Sequence, residues 1–102
     1  MDIKIYLYDN YDPYSVKILV LLRKCKLKFT LGTYSRKNME YVSDEIGKKV
    51  RKLPQVVIDG QLIGGYFDLM EFLINKKVIN FKGELNKRQN GKGPSGQEAT
   101  NI

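Results

Sequence analysis

The sequence predicts an α/β fold in which a mixed four-stranded sheet is flanked by helices, in the element order β-α-β-α-β-β-α. Three observations predict this fold. Residues 3–8 alternate between apolar and polar side chains, which is typical of a strand. Pro13 opens a mostly apolar run that is long enough for a helix of about three turns. The pair Asp59-Gly60 separates two short apolar segments, a pattern typical of a β-hairpin.

The first half of the chain is predicted to form a strand, a helix and a second strand. The helix should follow Asp12, whose carboxylate can accept backbone N–H bonds at the N-cap. Pro13 suits its first position, and the run from Val16 to Lys26 is predicted to form the helix. The second strand is predicted over residues 26–31. Two strands joined through a helix in this way are parallel, with a right-handed crossover. The apolar side chains expected to share one face are Ile3, Ile5 and Leu7 in the first strand and Leu27, Phe29 and Leu31 in the second.

The second half is predicted to form a helix, the hairpin and a last helix. Helical spacing of apolar residues predicts a helix over residues 36–50, with Ser35 as its cap and Gly47 weakening its last turn. Residues 55–59 and 61–64 are the two hairpin strands. The last helix is predicted over residues 67–76. The expected core positions are Met39, Val42, Ile46 and Val50 in the earlier helix and Leu69, Phe72 and Leu73 in the later one.

Length and composition limit the organisation to one domain over residues 1–81 followed by a tail over residues 82–102. The tail is basic and rich in Gly, Asn and Lys, so we expect it to be disordered unless a partner orders it. The formal charge of the chain is +7. A basic surface attracts anionic partners, but no basic groove interleaved with aromatic residues is evident, so nucleic acid is not the expected partner. No apolar run reaches the roughly 20 residues that a membrane span needs.

Cysteine and histidine usage excludes several kinds of site. Cys25 is the only cysteine and the chain has no histidine, so neither an intrachain disulfide nor a multi-cysteine zinc site can form. We expect no metal and a reducing, cytoplasmic environment. The abundance of Lys, Asn, Ile and Tyr is typical of A/T-rich genomes and suggests a viral or phage protein, located in the host cytoplasm or the virion.

Three segments together resemble the glutaredoxins, a family with the thioredoxin fold. D-P-Y-S at residues 12–15 occupies the place of the family's C-P-Y-C active-site motif. L-P-Q-V-V-I-D-G at 53–60 is similar to the segment that carries the family's cis proline. G-G-Y-F-D-L at 64–69 is similar to the family's G-G-x-x-D-L. The resemblance covers residues 3–76 and implies a thioredoxin-like fold.

The resemblance also implies a redox site, which this sequence has lost. In the family, a thiolate at the helix N-terminus attacks a disulfide, and only sulfur performs this exchange. Asp12 and Ser15 stand where the two cysteines would be, so the motif formed by Asp12, Pro13, Tyr14 and Ser15 is degenerate and no catalytic residue is expected. Cys25 lies about 15 Å along the helix from Ser15. We expect it to be structural or partly exposed, with a near-normal thiol pKa.

The resemblance implies a groove for glutathione or for a partner, formed by Tyr14, Leu53, Pro54, Gly65 and Asp68. Asp9 stands where the family has a basic residue, and together with Asp12 it would repel glutathione, an anion. Lysines and arginines at residues 48–52 partly offset this repulsion. We therefore expect weak or absent glutathione binding and no cofactor.

The expected function is that of a glutaredoxin-like binding or structural module without thiol–disulfide activity, with a protein partner, within a viral assembly. The partner surface is expected at Asp9, Tyr11, Asp12 and Tyr14 on one side and Lys52, Leu53, Pro54, Tyr66 and Phe67 on the other. The alternative is a glutathione-dependent oxidoreductase of redox homeostasis or a transferase. Glutathione transferases use a serine or tyrosine hydroxyl at this helix start, but they also need a second, all-helical domain.

Overall fold

The computed structural model describes residues 1–86, and its element order agrees with the predicted one. The elements are β1 (Ile3–Tyr8), α1 (Pro13–Lys24), β2 (Thr30–Tyr34), one 3₁₀ turn (Arg36–Asn38), α2 (Met39–Ile46), β3 (Gln55–Ile58), β4 (Gln61–Gly64) and α3 (Tyr66–Asn75). The chain divides into two units, and the first, Met1–Leu69, contains the whole sheet. The second unit begins at Met70, within α3.

The sheet is mixed and has the strand order β2-β1-β3-β4. β1 pairs with β2 in parallel and with β3 antiparallel, and β3 pairs antiparallel with β4. Ile5 lies opposite Leu31 on one side and Val56 on the other. This arrangement confirms the predicted fold class, a mixed four-stranded sheet with three helices.

The central strand β1 is buried on both faces. Ile3, Ile5 and Leu7 share one face, as predicted, and Tyr6 and Tyr8 on the other face are only 3% and 8% exposed. The two tyrosines belong to a hydrophobic cluster on the face of the sheet that α2 covers. Its other buried members are Val42, Val50 and Leu53. Partly buried side chains pack against it, namely Tyr34, Met39, Ile46, Val57 and Leu62. Because this part of the strand is covered on both sides, the two positions on the second face, Tyr6 and Tyr8, carry large aromatic side chains that can be buried.

The prediction for the second strand was wrong in its position. α1 ends at Lys24, and Lys26 then takes a left-handed backbone with φ of 58°. The N–H groups of Lys26 and Leu27 bond back to carbonyl oxygens of the last helical turn, which is a common way to end a helix. β2 therefore begins only at Thr30, and Leu27 and Phe29 are half-buried outside it.

The helix predicted over residues 36–50 is much shorter. A 3₁₀ turn precedes α2, and the Ser35 side chain bonds to the side chain of Asn38 instead of capping a backbone N–H. Gly47 ends α2 in the left-handed conformation with φ of 88°, which glycine adopts without steric cost. Val50 is buried as predicted, but it lies beyond the helix.

The hairpin and the last helix lie close to their predicted bounds. Asp59 and Gly60 both have positive φ, 51° and 80°, as a tight turn between two antiparallel strands requires. In the second unit, Leu73 and Ile79 are buried, and Ile79 forms a β-bridge with Leu85. The segment that was expected to be disordered from residue 82 therefore begins with residues whose backbones are hydrogen-bonded to residues 78–80. Residues 87–102 lie outside the described part of the chain.

Over residues 1–86, no helix is long and apolar enough to cross a membrane.

Candidate functional site

The N-terminus of α1 is closed by an aspartate. Asp12 is the N-cap, and its Oδ1 accepts a hydrogen bond of 2.7 Å from the backbone N–H of Ser15. The Asp12 carbonyl accepts the first helical bond from the Val16 N–H at 3.2 Å. Pro13 occupies the first helical turn, where its missing N–H is not needed. A negative oxygen thus satisfies an N–H group at the positive end of the helix dipole.

The serine of the same motif is inside the protein. Ser15 is only 1% exposed, and its Oγ has no hydrogen-bond partner among the described residues. The hydroxyl donates no hydrogen bond to a base among the described residues, and its burial keeps it from solution. Its environment suits a small apolar side chain better than a reactive hydroxyl.

A groove of about 390 Å³ lies beside this helix end. Its lining residues are Tyr14, Lys52, Leu53, Pro54, Gln55, Gly64, Gly65, Tyr66, Phe67 and Asp68. The peptide bond between Leu53 and Pro54 is cis. The structure therefore brings together all five residues predicted for the groove, which come from α1, the loop before β3 and the start of α3.

One wall of the groove is aromatic. The ring of Tyr14 lies 5.7 Å from that of Phe67 and 6.2 Å from that of Tyr66, and the rings of Tyr66 and Phe67 are 5.3 Å apart. The ammonium group of Lys17 stands 5.3 Å from the centre of the Tyr14 ring and 5.7 Å from that of Tyr66. Tyr14 and Phe67 remain 44% and 66% exposed, so this wall offers apolar surface to a ligand.

The N-terminus of α3 is capped by a side chain of the helix itself, Asp68. The Asp68 carboxylate accepts a hydrogen bond of 3.1 Å from the Gly65 N–H, so the third helical residue reaches back to the N-cap. Gly64 has φ of 125°, and a Cβ at this position would collide with the Asp68 carboxylate. A ligand carboxylate aimed at the Gly65 amide would have to displace Asp68 and lie next to it. In this conformation the Gly65 amide is already bonded within the chain, so it offers no ready site for a ligand carboxylate.

Other predicted surface residues lie outside the groove lining. Asp9, Tyr11 and Asp12 are not among the lining residues; the Asp9 N–H bonds to the Tyr34 carbonyl at 3.0 Å, and Tyr11 is exposed. Leu53, which lines the groove, has backbone groups that are available for hydrogen bonds. Neither the N–H nor the C=O of Leu53 forms a hydrogen bond with another described residue, although the Leu53 side chain is buried.

Cys25 sits at the opposite end of α1. It is the C-cap residue and is 8% exposed, not partly exposed. Burial raises the pKa of its thiol, and the nearby Lys24 charge offsets this only partly. The expectation of a near-normal pKa was therefore wrong, because burial disfavours the charged thiolate.

Sequence reasoning missed two contributors to the groove and its aromatic wall. Gln55 lines the groove, and Lys17 stands over two of its rings. Lys17 lies one helical turn after Tyr14, so its spacing could have indicated a shared face. Gln55 lies in β3, and no local signal placed it beside Tyr14.

Comparisons with known proteins agree with the fold. Glutaredoxin 1 from Francisella tularensis, solved with cacodylate, has a TM-score of 0.62 and 22% identity, with 74% of this chain and 93% of that chain covered. Escherichia coli glutaredoxin has a TM-score of 0.57 and 25% identity over 74% of this chain and 96% of that one. No protein-family model matches the sequence, and no curated protein matches it.

A glutathione transferase shares the same fold over part of its length. The enzyme of Ceriporiopsis subvermispora, solved in complex with glutathione, has a TM-score of 0.62 and 15% identity. The match covers 74% of this chain but only 37% of that chain. Together these structures show that the chain has the thioredoxin-like fold found in glutaredoxins and in glutathione transferases.

Proposed function

We propose that this chain is a glutaredoxin-like binding module that does not carry out thiol–disulfide exchange and that docks a protein partner in the groove beside Pro54. The observation that carries the proposal is the carboxylate of Asp12, which caps α1 where the glutaredoxin motif has its reactive thiol. A carboxylate does not attack disulfides, and the buried hydroxyl of Ser15 cannot resolve a mixed disulfide.

The remaining cysteine does not replace the missing ones. Cys25 is buried at the far end of α1, where the helix dipole and burial both disfavour a thiolate. Its raised pKa leaves it a poor nucleophile near neutral pH. The chain's own residues therefore supply no group for the redox step.

The groove supports a docking role. Exposed aromatic rings, mainly Tyr14 and Phe67, provide the kind of anchor surface that protein interfaces use. The unpaired backbone N–H and C=O of Leu53 can bond to the backbone of an extended peptide. The viral setting of the proposal is supported by composition alone, through its abundance of Lys, Asn, Ile and Tyr.

The alternative is a glutathione-dependent oxidoreductase or transferase, in which glutathione supplies the sulfur. Its support is the thioredoxin-like fold, since the glutathione transferase from Ceriporiopsis subvermispora was solved with glutathione. Against it, Asp68 already holds the Gly65 amide.

A glutathione-coupled disulfide reduction assay with hydroxyethyl disulfide tests the proposal. We expect no turnover above buffer for the intact chain. A matched positive control is the D12C/S15C variant, which restores sulfur at both motif positions. Turnover by the unmodified chain that persists in Cys25→Ser would overturn the proposal and favour the alternative.

A further inference from the structure

A short loop between α2 and the groove is strongly basic. We call residues 48–52 the basic loop; its exposed cations are Lys48, Lys49, Arg51 and Lys52. No aspartate or glutamate occurs from residue 46 to residue 58. Glu45, the nearest preceding acid, is paired with Lys4. The four cations of the loop form no ion pair with another described residue.

The loop is held in place by its uncharged atoms. The Ser43 hydroxyl of α2 accepts a hydrogen bond of 2.9 Å from the Val50 N–H and donates one of 3.2 Å to the Val50 carbonyl. The side chains of Val50 and Leu53 are buried. The Lys52 carbonyl accepts a hydrogen bond of 3.1 Å from the side-chain amide of Gln55. These tethers fix the backbone, so the cations stay directed to solvent without the loop having to be ordered by a ligand.

The basic loop also joins two concave surfaces. Lys52 lines the groove, and Lys48 and Lys49 line a second cavity of about 490 Å³ against α2, which Glu40 and Asp44 also line. The backbone from residue 48 to residue 52 can extend at most about 14 Å. An extended peptide of about five residues would therefore pass all the cations.

We propose that the occupant of the groove is an acidic, extended segment of a protein partner, whose carboxylates lie along the basic loop while an apolar residue covers the aromatic wall. This inference rests on the proposed function and specifies the chemistry of the partner. A peptide fits better than a nucleic acid, because Asp68 lines the groove and Glu40 and Asp44 line the second cavity, and these carboxylates would repel a continuous phosphate backbone. A peptide instead carries separate charges, which can lie at the lysines and Arg51 and leave the three carboxylates uncontacted.

Fluorescence anisotropy with fluorescein-labelled decapeptides tests this inference on the full chain. The acidic probe alternates Glu and Tyr, and its matched probe alternates Gln and Tyr. The loop variant is K48Q/K49Q/R51Q/K52Q. Its control, R23Q/K26Q/K28Q/K37Q, removes the same number of lysines and arginines from exposed positions elsewhere.

We expect the Glu peptide to bind about tenfold more tightly than the Gln peptide, with the advantage lost in the loop variant, kept in the control and weakened by salt. Equal binding of both peptides that is lost in Y14A/F67A would overturn the acidic occupant but leave the docking groove intact. No binding of either peptide also overturns the inference. Tighter binding of a (dT)10 oligonucleotide that depends on the loop would assign the surface to nucleic acid instead.

Discussion

The carboxylate of Asp12 lies 2.7 Å from the backbone nitrogen of Ser15 and accepts its hydrogen bond. These two residues occupy the places of both cysteines in the motif that the sequence resembles. Here they are joined by a helix cap, in which one supplies the acceptor and the other the donor. This hydrogen bond stabilises the N-terminus of α1 without any sulfur atom.

Replacing Asp12 with alanine should lower the free energy of unfolding by about 1 kcal/mol, because the Ser15 N–H loses its acceptor. Urea denaturation measures the change. The control is Asp9→Ala, an exposed position whose side chain has no hydrogen bond to another described residue; it should change stability by less than about 0.5 kcal/mol. Equal stability of Asp12→Ala and the unmodified protein would show that the cap contributes nothing.

Ser15→Ala should leave the stability unchanged or raise it by up to about 1 kcal/mol, because it removes a buried hydroxyl without a partner among the described residues. Ser43→Ala is the matched contrast. Its hydroxyl makes two hydrogen bonds to Val50, so its loss should cost about 1–2 kcal/mol. Thermal unfolding of both variants gives the comparison. A loss in Ser15→Ala as large as that in Ser43→Ala would mean that the Ser15 hydroxyl is satisfied in solution.

A cysteine placed at the cap should become the reactive thiol of the chain. In Asp12→Cys the helix N-terminus should lower the thiol pKa to within about 3.5–7.5, whereas burial raises the pKa of Cys25. Iodoacetamide labelling near neutral pH, followed by mass spectrometry, should therefore modify the introduced thiol first and Cys25 last. Tyr11→Cys, exposed and just before the helix, should react at the rate of an ordinary thiol. If Asp12→Cys reacts no faster than Tyr11→Cys, the helix end does not stabilise an anion.

The ion pair of Lys4 and Glu45 should make a pH-dependent contribution to stability. The hydrogen bond from Lys4 lowers the pKa of Glu45, so the folded state binds this proton less readily than the unfolded state. The contribution is therefore present above the ordinary carboxyl pKa of about 4.3 and is lost as the pH falls through the lowered value.

Because the pair is partly exposed, Glu45→Gln should cost only about 0.5 kcal/mol near neutral pH, and the difference should shrink as the pH falls towards about 3. Urea denaturation of both proteins across this range measures the difference. Glu40→Gln, also on α2 and exposed, is the control for removing one carboxylate from this helix. A constant difference at all pH values would show that packing, and not charge, stabilises the pair.

The elements whose positions the sequence predicted correctly are those that a few neighbouring residues specify. Asp12 and Pro13 mark the start of α1, and Asp59-Gly60 marks the hairpin, because caps and turns involve neighbouring residues only. The start of β2 was missed because the alternation of Leu27 and Phe29 imitates a strand. The backbone reverses at Lys26 and leaves these two side chains outside the ladder.

By itself the sequence determined the order of the elements, the helix cap at Asp12 and the absence of sulfur from both motif positions, since each depends on residue type and short-range spacing. Only the tertiary structure decided the burial of Ser15 and Cys25, the ring contacts of Tyr14 with Phe67, and the position of the basic loop between two concave surfaces. Burial and side-chain contact join residues that lie some fifty positions apart in the chain, and they depend on how the sheet and helices pack, which no local pattern encodes.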